Sequence, residues 1–191
     1  MEQQLEQELI RIVQETPWFM KALSAVRALQ LPLWCIGAGV IRNLVWDHLH
    51  GYLEPSELAD VDIAYFDPTD ISTERDHALQ AQLSQQCPGV PWEVTNQAGV
   101  HLWFESCFGH LVEPLTSIEE AVSTWPETAT SVAVRLLPDD GIHVIAPLGL
   151  QDLFAMIVRR NPRRVSVETY RKRIAEKRYT QRWPQVRIVP S

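Results

Sequence analysis

Leu33-Trp34-Cys35-Ile36-Gly37-Ala38-Gly39-Val40-Ile41-Arg42-Asn43, then Gly51, then Asp60-Val61-Asp62-Ile63-Ala64-Tyr65-Phe66 is the stretch that decides the fold. An apolar run, a Gly turn, a helical segment over 40–49 and a second strand follow one another. The second strand carries two carboxylates one residue apart, and side chains at i and i+2 of a strand share a face. Asp60 and Asp62 therefore project together, on the order of 6–7 Å apart at the backbone. Two carboxylates that close repel each other unless a cation lies between or beside them. A hard divalent ion such as Mg2+, with Mn2+ as the alternative, suits that donor pair and takes substrate phosphates as further ligands. Backbone N–H groups and the positive dipole end of a helix N-terminus at Gly37, Ala38 and Gly39 suit those phosphates.

The pattern outward is mixed. Leu5, Leu9, Ile12 and Val13 recur at helical spacing, and Thr16-Pro17 opens a second helix to about Leu29. Ser72 to Gln86 reads as a helix, and Trp92 to Thr95 as a short strand. His101 to Phe104 fits strand or helix equally. Ser117 to Ser123 is helical, and 131–136 and 143–146 alternate as strands around Pro138-Asp139-Asp140-Gly141. A helix is expected from Pro147 to about Val158, and a basic one from Ser166 to Arg178. The sum is an α+β fold, a small mixed β-sheet flanked by helices. We expect one domain over 1–191: a core of about 30–146, a helical segment 1–30 and a basic helical segment 147–191.

Charge is unevenly spread. Residues 159–191 hold eleven Arg or Lys against two Glu, although the chain carries −7 overall. The basic end is either a phosphate or nucleic-acid contact or a solvated helix docked on an acidic body. Three cysteines without a C-x-x-C pair favour reduced thiols. No signal peptide or spanning segment is legible, so a cytoplasmic protein without a membrane partner is expected.

The run Gly39-Val40-Ile41-Arg42-Asn43, Gly51 and Asp60-Val61-Asp62 resembles the signature of the nucleotidyltransferase superfamily, which includes DNA polymerase beta and the CCA-adding and poly(A) polymerases. Trp92-Glu93-Val94-Thr95-Asn96-Gln97, Trp125-Pro126-Glu127-Thr128-Ala129-Thr130 and 146–154 extend the likeness to a bacterial group labelled nucleotidyltransferase family protein. Two residues depart from the usual pattern. Ala38-Gly39 stands where Gly-Gly or Gly-Ser is common, and Asn43 stands where the CCA-adding group has Asp.

The resemblance implies a nucleotidyltransferase-like fold and transfer of an NMP unit from an NTP to an acceptor, which is a small molecule, protein or RNA. It makes Asp60 and Asp62 metal ligands and puts a third acid on a following strand. Glu93 is the candidate there, with an ordinary solvent-facing Glu as the other reading. Arg42 either grips triphosphate oxygens or pairs with Asp47 or another acid. Asn43 offers a neutral donor. Asn96, Gln97 and His101 contact substrate or cap loops. The rival function is a nucleotide- or protein-binding module on the same fold without turnover.

Overall fold

A computed structural model describes residues 1–190. Helices α1 (Glu2–Gln14) and α2 (Pro17–Ala28) open the chain. Their apolar stripes, including Leu9, Val13, Phe19 and Leu23, are fully buried. Strand β1 (Cys35–Gly37), α3 (Gly39–His50), β2 (Val61–Tyr65), α4 (Thr73–Gln86) and β3 (Trp92–Asn96) follow close to the expected bounds. The ambiguous run at His101 is helix α5 (His101–Phe108), followed by α6 (Ile118–Ser123), β4 (Ala133–Leu136) and β5 (Ile142–Ile145).

One expected helix does not form. Pro147 to Val158 contains only the short α7 (Gln151–Phe154) and a two-residue strand, β6 (Ile157–Val158). Gly149 at φ +78 and Met156 at φ +53 are left-handed, and they interrupt the helix on both sides. The basic segment is α8 (Val167–Lys177), which stops at left-handed Arg178. Helix α9 (Tyr179–Arg182) and strand β7 (Arg187–Ile188) follow, and β7 pairs parallel with β6.

The main sheet has the order β3-β2-β1-β4-β5. Only β2 and β3 run parallel; the other neighbours are antiparallel. Strand alternation gives the sheet two different faces. Ile36, Val61, Ile63, Tyr65, Val94 and Val134 face the large core, which extends from Leu9 to Val186 and includes α1, α2 and α3. Cys35, Ala64 and Ala133 face a smaller cluster under α5 and α6. Asp62, Glu93 and Gly37 share that second face by the same alternation. Among the described residues no helix is long and apolar enough to cross a membrane, and the three cysteines are unpaired.

Candidate active site

The acids meet at the start of β2 and β3. Asp62 is the register partner of Glu93 on β3 and of Gly37 on β1. Asp60 stands two residues earlier, on the same side. Asp60, Asp62 and Glu93 line one cavity of ≈330 Å³ together with Ala38, Gly39 and Arg42. Burial pushes the Asp62 carboxyl up to about 7, and the charges of Asp60 and then Glu93 add to the effect. The three side chains therefore feel one another, as their placement on adjacent strands requires.

The turn beside them works differently from the expectation of two phosphate-facing glycines. Gly37 lies buried in β1, and a Cβ there would meet the Trp125 ring at 2.6 Å and the Ala133 Cβ at 2.7 Å. Its missing side chain makes room for an indole. The unusual backbone belongs to Ala38, at φ 58 and ψ −121, immediately before α3. An L-residue there is strained by about 1–3 kcal/mol. The Ala38 N–H donates to the Val132 carbonyl (3.0 Å), and its own carbonyl accepts from the Arg42 N–H (3.2 Å). A Cβ placed on Gly39 would lie 3.7 Å from Arg42 Nη2 and 3.8 Å from Asp60 Oδ1. The first turn of α3 thus sits between a cation and a carboxylate.

Arg42 is 4% exposed. Its Nε and Nη2 donate to Asn43 Oδ1 (3.2 and 2.7 Å), and Asn43 donates onward to the Glu57 carbonyl (3.3 Å). The guanidinium lies over the rings of Trp46, Tyr179 and Trp183 at 5.6, 5.1 and 5.4 Å. Such contacts contribute about 0.5–2 kcal/mol each. Asp47 is engaged elsewhere, accepting from Trp183 Nε1 (2.7 Å) and the Ser56 N–H (2.8 Å). Arg42 therefore has aromatic faces, the Tyr179 hydroxyl (3.5 Å) and a neutral amide around it, with no carboxylate among the described residues hydrogen-bonded to it. Burial holds its guanidinium below the usual range, against the pull of Tyr179 and Glu127. A buried cation in that state favours an anionic ligand.

Sequence reasoning missed the opposite wall. Arg173 and Lys177, one helical turn apart on α8, line the cavity with Trp125, Pro126 and Thr130. Glu127 holds that wall in place. It is 1% exposed and accepts from Arg173 Nε (2.9 Å), Thr130 Oγ1 (2.8 Å) and Tyr179 Oη (3.3 Å). Burial alone would raise its carboxyl; Arg173, Thr130 and Arg42 outweigh that and hold it below the usual range. The i, i+4 spacing of Arg173 and Lys177 was the available signal, but nothing local tied it to residues 60–62. The basic end docks on the body, α8 being held through Glu127, and the same helix turns Arg173 and Lys177 toward the cavity.

The remaining expected residues divide. Gln97 lines the cavity. Asn96 does not: its side chain accepts from the Asp67 and Ala98 N–H groups and donates to the Asp67 and Asp70 carbonyls. Its amide is spent on holding loops together. His101 starts α5 away from that wall, with a buried Nδ1 that has no hydrogen-bond partner among the described residues. Asn43 acts on Arg42 from behind.

The donor set is anionic oxygen, which suits a hard divalent cation. Among the described residues no three His, Cys, Asp or Glu side chains close into a metal cage by themselves. Asp60, Asp62 and Glu93 instead line one wall. That arrangement fits an ion completed by phosphate oxygens, the common way of holding Mg2+.

An NMR structure whose description is a CCA-adding enzyme head domain superposes with TM-score 0.82 and 28% identity, covering 97% of this chain and 96% of that one. A CCA-adding enzyme complexed with CTP matches at TM-score 0.57 and 16% identity, over 94% of this chain and 41% of its own length. The Thermotoga maritima CCA-adding enzyme complexed with tRNA matches at 0.50 and 15%, over 89% and 38%. These last two share the fold, and this chain spans well under half of each. Comparison with curated proteins gave no match. A family model described as nucleotidyltransferase matches residues 24–188, and the chain belongs to that family.

Proposed function

We propose that the chain transfers a nucleoside monophosphate unit from an NTP to an acceptor, with release of pyrophosphate. The observation that carries this reading is the convergence of Asp60, Asp62 and Glu93 on a cavity whose other walls are a helix N-terminus and the cations Arg42, Arg173 and Lys177. Asp60, Asp62 and Glu93 would hold Mg2+, which when bound neutralises phosphate charge and makes an acceptor hydroxyl more acidic. Arg42 and the Gly39 N–H at the start of α3 bind and orient the β- and γ-phosphates. Lys177 balances the remaining charge from α8. Donor recognition is in keeping with the CTP complex of a fold relative, and a nucleic-acid acceptor with the tRNA complex of another. Small-molecule and protein acceptors fit the cavity chemistry as well.

A binding module without turnover is the second reading. It is favoured by the Ala38-Gly39 turn, which lacks the phosphate-touching hydroxyl of a Gly-Ser turn. Calorimetry of ATP and CTP with Mg2+, coupled to a pyrophosphate-release assay over an acceptor panel, separates the two. Metal-dependent binding with pyrophosphate release that disappears in Asp60→Asn and Asp62→Asn supports the transferase. Metal-dependent binding without release from any acceptor supports the module.

A further inference from the structure

The acidic cavity continues past Trp125 into an annex of ≈210 Å³. Both spaces share Thr95, Gln97, Phe108 and Trp125 as walls. Glu93 and Thr95 on β3 and Gln97 just past its end lead from the acids into the annex. The far wall is aromatic. Trp103 and Phe104 on α5 stack with centroids 6.3 Å apart and planes 28° apart, and Phe104 and Phe108 lie 4.5 Å apart. Trp103 and Phe108 leave 38% and 46% of their surface open.

The polar groups of the annex sort its occupant. Its lining holds no carboxylate, so nothing there selects a cationic ligand. Arg173 is already matched by Glu127. Arg164 donates to the Glu113 carbonyl (2.6 Å) and lies 5.6 Å from the Phe104 ring. Arg42 and Lys177, which form no ion pair among the described residues, are at the other end, Arg42 beside the Ala38–Gly39 turn. A molecule with a polyanionic head and a planar, uncharged body is thereby oriented: head at the turn, body among the rings. Gln97 Nε2 donates to the Thr95 carbonyl at 3.3 Å, a long bond that the edge of a planar heterocycle can replace.

We propose that the annex is the nucleobase subsite, in which the base of the NTP stacks against Phe108 and Trp103. This rests on the nucleotidyl-transfer reading. The test titrates ATP and inorganic tripolyphosphate, each with Mg2+, into the unaltered protein and into Phe108→Ala, Trp103→Ala and Phe108→Tyr. Both rings are partly exposed, so the variants retain the core. Each alanine variant is expected to weaken ATP about tenfold, as loss of one base–aromatic stack does. Phe108→Tyr keeps the ring and binds ATP as the unaltered protein does, and tripolyphosphate affinity is the same in all four. ATP affinity unchanged in both alanine variants overturns the proposal while leaving phosphate binding intact. Equal loss of ATP and tripolyphosphate overturns it too, because the rings would then act through the phosphate end. Binding of neither ligand to the unaltered protein overturns the transfer reading itself, and the subsite with it.

Discussion

Asp62 and Glu93 are register partners across the single parallel pair of the sheet, β2 and β3. Parallel partners project to the same face, so this pairing alone sets a second strand's acid beside the D-x-D pair. It also gathers negative charge where β1 supplies only Gly37.

That crowding opposes folding. Burial and the neighbouring carboxylates raise Asp62 to about 7, so stability is lost as pH rises from the unfolded pKa of about 3.9 through about 7, and the cost is full above that. Asp62→Asn is expected to stabilise the fold at about pH 8 by on the order of 1–2 kcal/mol, read as a higher melting temperature, while abolishing transfer. Thermal melts of both proteins check this; a lower melting temperature for the variant counts against charge crowding.

Glu127 behaves in the opposite sense. Its folded carboxyl sits below the usual range, so its contribution is full above the unfolded pKa and is lost as pH falls through the folded one. Melting temperature should fall as pH drops below the ordinary glutamate pKa of about 4.3. Glu127→Gln should cost about 3 kcal/mol near neutrality by leaving Arg173 unpaired, and flatten the acid limb of the curve. An acid limb unchanged in the variant would remove Glu127 from this role.

Ala38 offers a gain. Glycine adopts φ 58, ψ −121 without a Cβ penalty, so Ala38→Gly should stabilise by about 1 kcal/mol after its larger unfolded-state entropy is counted. Chemical denaturation measures it, and destabilisation would contradict the strain.

Gly37 should tolerate nothing larger. A Cβ 2.6 Å from the Trp125 ring and 2.7 Å from Ala133 forces the roof of the cavity to move. Gly37→Ala is expected to cost about 1–3 kcal/mol and to change Trp125 fluorescence; a variant with the unaltered melting curve and spectrum would contradict that packing.

What the sequence disclosed was local. Asp60, Asp62, the turn and α3 lie within thirty or so residues and obey strand and helix periods, so their juxtaposition could be read off. Glu93 needed only the next strand. Glu127, Arg173 and Lys177 reach the site from 65 or more residues beyond Asp62; the helix that carries the two cations was legible, but where it docks was not. The roles of Gly37 and Ala38 were exchanged because composition shows which residue lacks a side chain, but not whether the reason is backbone angle or a neighbouring indole. The helix expected at 147–158 failed at Gly149 and Met156, where backbone turns outweighed a weak pattern. Strands β6 and β7, two residues each, are too short to leave any alternation.

The most direct test is calorimetric titration of ATP into the unaltered protein and Asp62→Asn, each with Mg2+ and again with a chelator. Binding by the unaltered protein only with Mg2+ is expected, and none by the folded variant under either condition. ATP binding of equal strength in the chelator, or in Asp62→Asn, would contradict it.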